Sequence, residues 1–448
     1  MAVEAWDLIR GETAADLLPR LPPEETEFLI LCFEGPDSYS RVGGLGARVT
    51  ELCRALAESG YQTHLVFIGD PMLPEREVSL EGRLCLHRRC GWISRYYPGG
   101  VYEGEEAKVA DYRAEVPGYA LAEIIRPAVA AGRRVVVMAE EWQTAAVACD
   151  LSDTLYHAGL RRRTLMLWNA NSAIGFDRLD WPRLRTTQAI TTVSRWMKHL
   201  MWEWGCNAIV IPNGIPARLL HPAPRVERLA RALRQQIPAR PLLVKVARWD
   251  PDKRWHMAVE AVAGLRKRGV PALLIARGGN GDHGADVLRN ARAAGLRIAE
   301  VEGEAADPAA VVEALVAAAP EADLLNVQFC LSEAALQVFY RAADGVLANS
   351  GREPFGLVGL EAMAAGGVVY TGATGEDYAR PFDNAVVLET DDPREITAAA
   401  LELLAHPEQA ECLRREARET AARYTWDRVL PLLLRRLRYL AMVEGWEQ

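Results

Sequence analysis

The segment NSGREPFGLVGLEAMAAGG, residues 349–367, begins in one short apolar run, GVLANS, and ends in another, GVVYTG. Glycine and proline between Gly351 and Gly356 predict a loop, and the apolar stretch that starts at Leu357 predicts a helix opening directly from it. Strand, loop, helix and strand in this order form a βαβ unit, whose two strands lie parallel in one sheet.

The same alternation of short apolar runs and helical patterns extends along the rest of the chain. It predicts an α/β fold with two doubly wound, Rossmann-like domains facing a central cleft. The runs interpreted as strands are EFLILCF (27–33), THLVFIG (63–69), RRVVVMA (133–139), TLML (164–167), QAITTVS (188–194), NAIVIP (207–212), PLLVKVA (241–247), PALLIAR (271–277), LLNVQF (324–329), GVLANS (345–350), GVVYTG (367–372) and NAVVLE (384–389).

The segment IPNGIP (211–216) combines two prolines with a glycine, as a hinge between domains would. We therefore predict an N-terminal domain at residues 1–216 and a C-terminal domain at 217–426. Residues 427–448 are expected to form a helix that crosses back to pack on the N-terminal domain. Its stretch LLLRRLRYL (432–440) also allows contact with an anionic membrane surface, although packing is the favoured interpretation.

Composition narrows the possible partners. The chain has 448 residues, a net charge of −8 and eight cysteines without a CxxC pair. The charge argues against nucleic acid as a partner, and the cysteine spacing argues against zinc. No apolar stretch is long enough to span a membrane, and MAVEAWDLIRGE (1–12) lacks the pattern of a signal peptide, so a cytoplasmic location is expected. Oligomeric state is left open.

Two carboxylates frame the loop and helix of the opening segment. Glu353 lies in the loop, where it can accept hydrogen bonds from sugar hydroxyls, and Glu361 lies about two turns into the helix. The helix N-terminus attracts a phosphate group through its free N–H groups and its dipole. Phe355, Gly356 and Leu357, at the start of the helix, are the candidate contacts to such a ligand.

The segment VARWDPDKRW (246–255) follows the first predicted strand of the C-terminal domain. Arg248 and Lys253 lie five residues apart across a loop, which can aim both cations at one diphosphate. The alternative is a solvated surface loop.

The segment RVGGLGARV (41–49) follows the first predicted strand of the chain and opens a helix. Its glycines allow the backbone at Gly43 and Gly44 to approach a phosphate or a sugar. The alternative is an ordinary tight turn between a strand and a helix.

Taken together, these segments resemble the retaining glycosyltransferases of the GT-B fold, and of family 4 in particular. EPFGLVGLEAMAAG is similar to the E-x7-E signature of that family, and Arg248 with Lys253 matches its R-x4-K pair. RVGGLG is similar to its KxGGLG loop, with Arg41 at the lysine position, and IPNGIP is similar to its PNG linker.

The resemblance implies that the C-terminal domain binds a nucleotide-diphosphate sugar and the N-terminal domain binds a carbohydrate or other small hydroxyl acceptor. It implies that Glu353 contacts the donor sugar, that Glu361 contacts the ribose, and that Arg248 and Lys253 hold the diphosphate. It further implies transfer with retention at the anomeric carbon, without a metal ion or another cofactor.

The chain departs from the family at MAEEW (138–142), where related synthases carry HxHDW. Glu140 stands at the position of the second histidine. It is a candidate to accept a sugar hydroxyl or to act as a base, but an ordinary loop carboxylate remains possible. Trp142, Asn169 and Asn171 are the acceptor-side candidates. Two alternatives to a transferase are a nucleotide-sugar epimerase and a catalytically silent protein that binds sugar nucleotides.

Overall fold

Most of the apolar runs form parallel strands that are buried on both faces, as expected for continuous Val-, Ile- and Leu-rich segments flanked by helices. The structure is a computed structural model that describes residues 20–279, 283–303, 307–372 and 375–446. The N-terminal segment without a signal pattern, at residues 1–12, lies outside the described residues, as do the last two residues of the predicted C-terminal helix.

Within the described residues, eight strands form the first sheet, in the order β3-β4-β2-β1-β5-β6-β7-β8. All neighbouring pairs are parallel except β3 and β4. The strands are β1 Thr26–Leu31, β2 Gln62–Ile68, β3 Arg76–Ser79, β4 Leu84–Arg89, β5 Arg134–Glu140, β6 Thr164–Ala170, β7 Ala189–Thr192 and β8 Ile209–Val210.

Seven strands form the second sheet in the part of the chain that the structure describes, in the order β11-β12-β10-β9-β13-β14-β15, and every neighbouring pair is parallel. The strands are β9 Leu242–Val246, β10 Leu273–Arg277, β11 Ile298–Val301, β12 Leu324–Val327, β13 Gly345–Ala348, β14 Val369–Gly372 and β15 Val386–Leu388.

The helices alternate with these strands. Those that accompany the first sheet are α1 Gly44–Glu58, α2 Gly91–Ser94, α3 Glu105–Ala120, α4 Arg126–Ala130, α5 Trp142–His157, α6 Trp181–Thr187, α7 Arg195–Trp202 and α16 Trp426–Val443. Those of the second sheet are α8 Pro224–Gln236, α9 Trp255–Lys267, α10 His283–Ala293, α11 Pro308–Ala318, α12 Glu333–Ala342, α13 Leu357–Ala364, α14 Pro393–Ala405 and α15 Pro407–Ala421. The predicted doubly wound α/β architecture is therefore confirmed.

The chain divides into two compact units. The first extends to Gly214 and includes the chain from Trp426 onward, and the second is Ile215–Thr425. In the first unit, α16 packs its apolar side into the same core as β1, β2 and α1, with Leu433, Leu437 and Leu440 buried. The apolar face of LLLRRLRYL is thus covered by protein.

Each sheet reverses its strand order once. In the first sheet the chain proceeds from β1 outward through β2, and later returns to the other side of β1 with β5. In the second sheet the chain likewise proceeds from β9 outward through β10, and later returns to the other side of β9 with β13. In open parallel sheets the loops that leave two such strands diverge, which opens a crevice at their carboxyl ends where ligands bind.

Strands β3, β4 and β11 were not predicted. Strand β4 contains histidine and two arginines, and β3 is fully exposed, so neither forms a continuous apolar run. Strand β11, with the sequence IAEV, is only partly buried. No helix among the described residues is long and apolar enough to cross a membrane.

Leu437→Ala tests the packing of α16. Leu437 is fully buried in the core of the first unit, so the substitution leaves a cavity and should lower the free energy of unfolding by about 2–5 kcal/mol. Urea denaturation measures the change. Arg436→Ala, at an exposed neighbouring position, is the control and should change stability by less than about 0.5 kcal/mol. Equal stabilities of the two variants would contradict the packing described here.

Candidate functional site

Two loops meet at the point of strand reversal in the second sheet. One follows β9 and contains Lys253, and the other follows β13 and contains Glu353. Backbone groups join them, because Gly351 N–H donates to Asp252 O over 2.8 Å and Arg352 N–H donates to Asp252 Oδ1 over 3.0 Å. The loops are therefore held together by contacts that do not involve the side chains of Lys253 or Glu353.

Lys253 and Glu353 form an ion pair across these loops. Lys253 Nζ donates to Glu353 Oε2 over 2.9 Å, and the Glu353 side chain remains 31% exposed. Burial alone would raise the pKa of Glu353, but the charge of Lys253 and a hydrogen bond from Ser350 hold that pKa below its usual value. Glu353 is therefore an ionised carboxylate that can accept hydrogen bonds.

Arg248 lies on the same β9 loop with its side chain exposed. Trp255 Nε1 donates to its backbone carbonyl over 2.8 Å, which ties the loop to the start of α9. The structure thus places both predicted cations, Arg248 and Lys253, on the loop that leaves β9 at the strand reversal.

Helix α13 begins beside this ion pair. Its N-cap is Gly356, with φ at +83°, and no side chain caps its first turn. A side chain at this position would be strained, and its Cβ would lie 2.8 Å from Tyr378 Oη, which donates to the Gly356 carbonyl over 2.6 Å. The first N–H groups of α13, beginning at Leu357, have no capping side chain and therefore suit an anion.

Phe355 and Glu361, two further residues predicted in the segment 349–367, lie in different surroundings. Phe355 is buried in an aromatic cluster, with ring centroids 5.6 Å from Tyr378 and 5.9 Å from Tyr424. Its side chain therefore packs inside the unit and is not exposed for contact with a ligand. Glu361 lies half-buried on α13, near enough to Tyr340 that its charge adds to burial in raising the tyrosine pKa.

Lys245 is a buried lysine of this site that was not predicted from the sequence. It lies on β9, and its Nζ donates to Asn349 Oδ1 over 2.5 Å and to Leu347 O over 3.2 Å. Burial, followed by the charge of Lys253, lowers its pKa to about 7. It joins the ends of β9 and β13 directly beneath the Lys253–Glu353 pair.

In the first unit, the glycine-rich loop surrounds an internal carboxylate. Glu34 Oε2 accepts N–H bonds from Val42 and Gly43, both 3.2 Å, and from Gly46, 3.0 Å. Tyr102 Oη donates to the other oxygen over 2.6 Å. The start of α1 therefore already holds an anion, whereas the side chain of Arg41 and the Gly44 backbone are exposed.

Glu140, at the carboxyl end of β5, is fully buried in a polar network. Arg48 Nε and Nη2 donate to its two oxygens over 3.3 and 3.4 Å. The side-chain amides of Asn169 and Asn171 donate to Oε2 over 2.9 and 2.6 Å. The carboxylate thus orients both predicted acceptor-side asparagines, while its own role as a base or hydroxyl acceptor stays a prediction.

The neighbouring Glu141 was not predicted. Its φ of +71° turns the chain from β5 into α5, and its carboxylate accepts from Asn171 N over 2.8 Å and Ser172 Oγ over 3.1 Å. Burial raises its pKa to about 8, although these hydrogen bonds lower it. Trp142 follows, half-buried, with the Arg178 guanidinium 4.9 Å from its ring centroid.

Comparisons with known proteins assign both halves of the chain to glycosyltransferase families. The profile of glycosyl transferases group 1 matches residues 230–420, and that of glycosyltransferase family 4 matches residues 42–219. The D-inositol 3-phosphate glycosyltransferase of Thermobispora bispora is 33% identical over 108 residues, which are 24% of this chain. The alignment spans only 25% of the length of that relative.

Two solved structures share the fold over nearly the whole chain. The sucrose-phosphate synthase of Thermosynechococcus elongatus has a TM-score of 0.67 at 20% identity, covering 93% of this chain and 100% of its own. The catalytic domain of starch synthase IV from Arabidopsis thaliana, bound to ADP and acarbose, has a TM-score of 0.66 at 16% identity, covering 93% and 99%.

Arg48→Met tests the buried network around Glu140. The variant leaves Glu140 buried without its cation, so the free energy of unfolding should fall by about 3–5 kcal/mol. Adding Glu140→Gln removes the unpaired charge and should restore at least half of that loss. Urea denaturation of both variants measures the difference. If the second substitution restores nothing, the Arg48–Glu140 pair does not stabilise this unit as described.

Lys245→Met tests the buried lysine through the pH dependence of stability. Above pH 7 the folded chain releases the Lys245 proton, whereas the unfolded chain keeps it until about pH 10. Rising pH therefore favours the folded wild type, and any stability advantage of the variant should shrink by up to about 1.4 kcal/mol per pH unit.

Urea denaturation between about pH 7.5 and pH 9.5 measures this trend in Lys245→Met. Lys267→Met, at an exposed position on α9, is the matched control and should show no pH trend relative to wild type. A difference between wild type and Lys245→Met that stays constant with pH would contradict the lowered pKa.

Proposed function

Because the chain belongs to the family 4 glycosyltransferases of the GT-B fold, we propose that it transfers a hexose from a nucleotide-diphosphate sugar to an acceptor hydroxyl. Transfer proceeds with retention at the anomeric carbon and requires neither a metal ion nor another cofactor. The proposal includes the cytoplasmic location expected from the sequence.

One observation carries the proposal: the Lys253–Glu353 pair lies at the strand reversal of the second sheet, next to the uncapped start of α13. Negative charge grows on the diphosphate as the bond to the sugar breaks. Lys253, the exposed Arg248 and the N–H groups of α13 supply positive charge at this edge. They perform the task that a divalent cation performs in other phosphate sites.

Glu353 supplies the contact to the donor sugar. Its lowered pKa keeps it ionised, so it accepts hydrogen bonds from sugar hydroxyls and offsets positive charge on an oxocarbenium-like ring. Glu361, further along α13, binds the ribose. Because the departing diphosphate is held on one face, we propose that the acceptor hydroxyl attacks from that same face, which retains the configuration. Catalysis then rests on positioning and charge stabilisation.

The first unit provides the acceptor contacts in this proposal. Asn169 and Asn171 are oriented by Glu140, and Asn171 Oδ1 is buried without a partner among the described residues. A buried amide oxygen without a hydrogen bond is unfavourable, and an acceptor hydroxyl would satisfy it. The name of the relative from Thermobispora bispora makes phosphorylated inositol one acceptor class to test, beside neutral sugars and sugar phosphates.

A catalytically silent protein that binds sugar nucleotides is the second candidate. It is favoured by the state of Glu140, whose two oxygens are already occupied by Arg48, Asn169 and Asn171. It predicts that nucleotides bind with no diphosphate release across a panel of donors and acceptors. An epimerase, by contrast, would convert a donor with no acceptor present.

Lys253→Ala and Glu353→Gln test the donor site. Each removes one half of the ion pair, and we expect kcat/KM to fall by about 10²–10³-fold, the loss typical of one group that stabilises transition-state charge. Release of nucleoside diphosphate from UDP-, ADP- and GDP-sugars measures turnover. Lys267→Ala, an exposed lysine of the same unit, is the control and should retain wild-type turnover. Wild-type rates in the two site variants would refute the assignment.

The anomeric configuration of the product, read by NMR on the active donor and acceptor, tests the stereochemistry. Net inversion would contradict the retaining mechanism. Turnover that depends on added Mg²⁺ would contradict its metal independence.

A further inference from the structure

Two histidines and a cysteine converge inside the first unit, away from the groups described above. His64 lies on β2, and Cys85 and His87 lie two residues apart on β4, so their side chains share one face of the sheet. All three are buried. His64 pairs directly with Cys85 in the parallel register of the two strands. The cluster thus bridges two neighbouring strands.

The side-chain atoms are close enough to hold one ion. One ligand atom from each residue lies within 4.8 Å of the other two. His64 Nδ1 and His87 Nε2 are 2.9 Å apart. A tetrahedral ion with bonds of about 2.0–2.3 Å keeps its ligand atoms roughly 3.3–3.7 Å apart, so the imidazoles need to separate by only a few tenths of an ångström.

Each imidazole also has a partner on the nitrogen that faces away from the cluster. Glu27 Oε2 lies 3.5 Å from His64 Nε2, and Tyr119 Oη lies 2.8 Å from His87 Nδ1. Metal-binding histidines typically donate their second N–H to a carboxylate or another oxygen, which fixes the tautomer and orients the ring. Here Glu27 and Tyr119 are both placed to accept those bonds.

The charged residues around the cluster affect how well it can bind a metal cation. Glu27 carries one negative charge next to His64, and Arg133 Nη1 donates to its other oxygen over 2.6 Å. Arg76 Nη2 lies 3.9 Å from Cys85 Sγ, but the Arg76 side chain is exposed and can turn into solvent. A thiolate at Cys85 supplies one negative charge to the ion, and the carboxylate of Glu27, which it shares with Arg133, supplies part of a second.

We propose that His64, Cys85 and His87 bind a divalent transition-metal ion, zinc by the softness of the ligands, as a structural site of the first unit. A mixed thiolate and imidazole set selects zinc among the common divalent ions. Binding releases the Cys85 thiol proton to solvent, and His87 carries its remaining proton on Nδ1 toward Tyr119. The side-chain carbonyl oxygen of Gln62, whose amide nitrogen donates to Cys85 Sγ over 3.6 Å, or a water completes four ligands.

The position of the site indicates what the ion does. Glu27 is the second residue of β1, His64 the third of β2 and Cys85 the second of β4, so the cluster lies toward the amino ends of these strands. Gly43, Glu34 and Glu140 lie at the carboxyl ends. The ion therefore ties strands together far along the sheet from the ligand-binding edge, and its effect should be on stability.

The full-length chain, stripped with a chelator and titrated with Co²⁺, provides the first test. One equivalent should bind, with a thiolate-to-cobalt charge-transfer band and the intense visible bands of a tetrahedral ion, and Zn²⁺ should displace it. Zn²⁺ should also raise the melting temperature of the stripped protein, because it binds the folded state preferentially. Absence of any Co²⁺ or Zn²⁺ binding would overturn the proposal.

Variants locate the ion. Cys85→Ala should abolish the charge-transfer band and the melting shift, while Cys53→Ala, a buried cysteine outside the cluster, should retain both. If Cys85→Ala does not fold, Tyr119→Phe keeps all three ligands and should weaken Zn²⁺ binding about 10–100-fold.

Cys90, Asp111 and Glu115 form the other group of metal-binding residue types within reach of one another among the described residues. Cys90→Ala should leave Co²⁺ binding unchanged. Loss of the charge-transfer band in Cys90→Ala, or its retention in Cys85→Ala, would move the ion elsewhere and refute the proposed site. These measurements do not depend on transferase activity.

Discussion

The arrangement of parallel strands is the constraint on which the rest of the structure depends. Because every strand pair except β3–β4 is parallel, the loops that leave the strands emerge at one edge of each sheet. The reversal of strand order then brings two particular loops together, those after β9 and β13 in the second sheet. Residues 100 positions apart in the sequence, Lys253 and Glu353, are in contact for this reason.

The two units have the same architecture, but the charged groups at the start of α1 in the first unit differ from those at the start of α13 in the second. In the first, the carboxylate of Glu34 occupies the N–H groups of the glycine-rich loop. In the second, the N-cap residue of α13 is a glycine, and the carboxylate of the preceding loop, Glu353, is bound to a lysine instead. A helix N-terminus that already holds an internal anion has less attraction for a second one. The asymmetry favours the second unit as the place where a diphosphate binds.

Most of the fold was predictable from the sequence, because strands buried on both faces are continuous apolar runs. Strand β4 was missed since its histidine and two arginines interrupt the run, and that histidine, His87, belongs with Cys85 of the same strand to the His64–Cys85–His87 cluster. The sequence spacing of His64, Cys85 and His87 matches no metal-binding motif, because the three side chains meet through the pairing of β2 with β4. The prediction against zinc rested on CxxC spacing, which cannot report on ligands brought together across strands.

The site was predictable only in part. Glu353, Lys253 and Arg248 could be selected because they belong to a local pattern of residues and spacing. Arg48, Glu34 and Lys245 could not, since their importance arises from partners far along the chain. Arg48 lies within RVGGLGARV and Glu34 directly follows the first apolar run, so both were adjacent to selected residues, but their burial was not visible in the sequence. Lys245 lies in an otherwise apolar strand, and its presence there is the only sign in the sequence that it has a role in the site.

In the proposed transfer reaction, the Lys253–Glu353 contact also affects the step that follows cleavage of the bond to the donor sugar. A group that attracts a departing diphosphate retains it as well, and strong attraction slows its exit. Glu353 offers Lys253 an alternative partner 2.9 Å away, within the protein itself. In the proposed transfer, the lysine can therefore exchange one anion for another without standing unpaired, so the proposed donor site can empty without losing a charge interaction at each cycle.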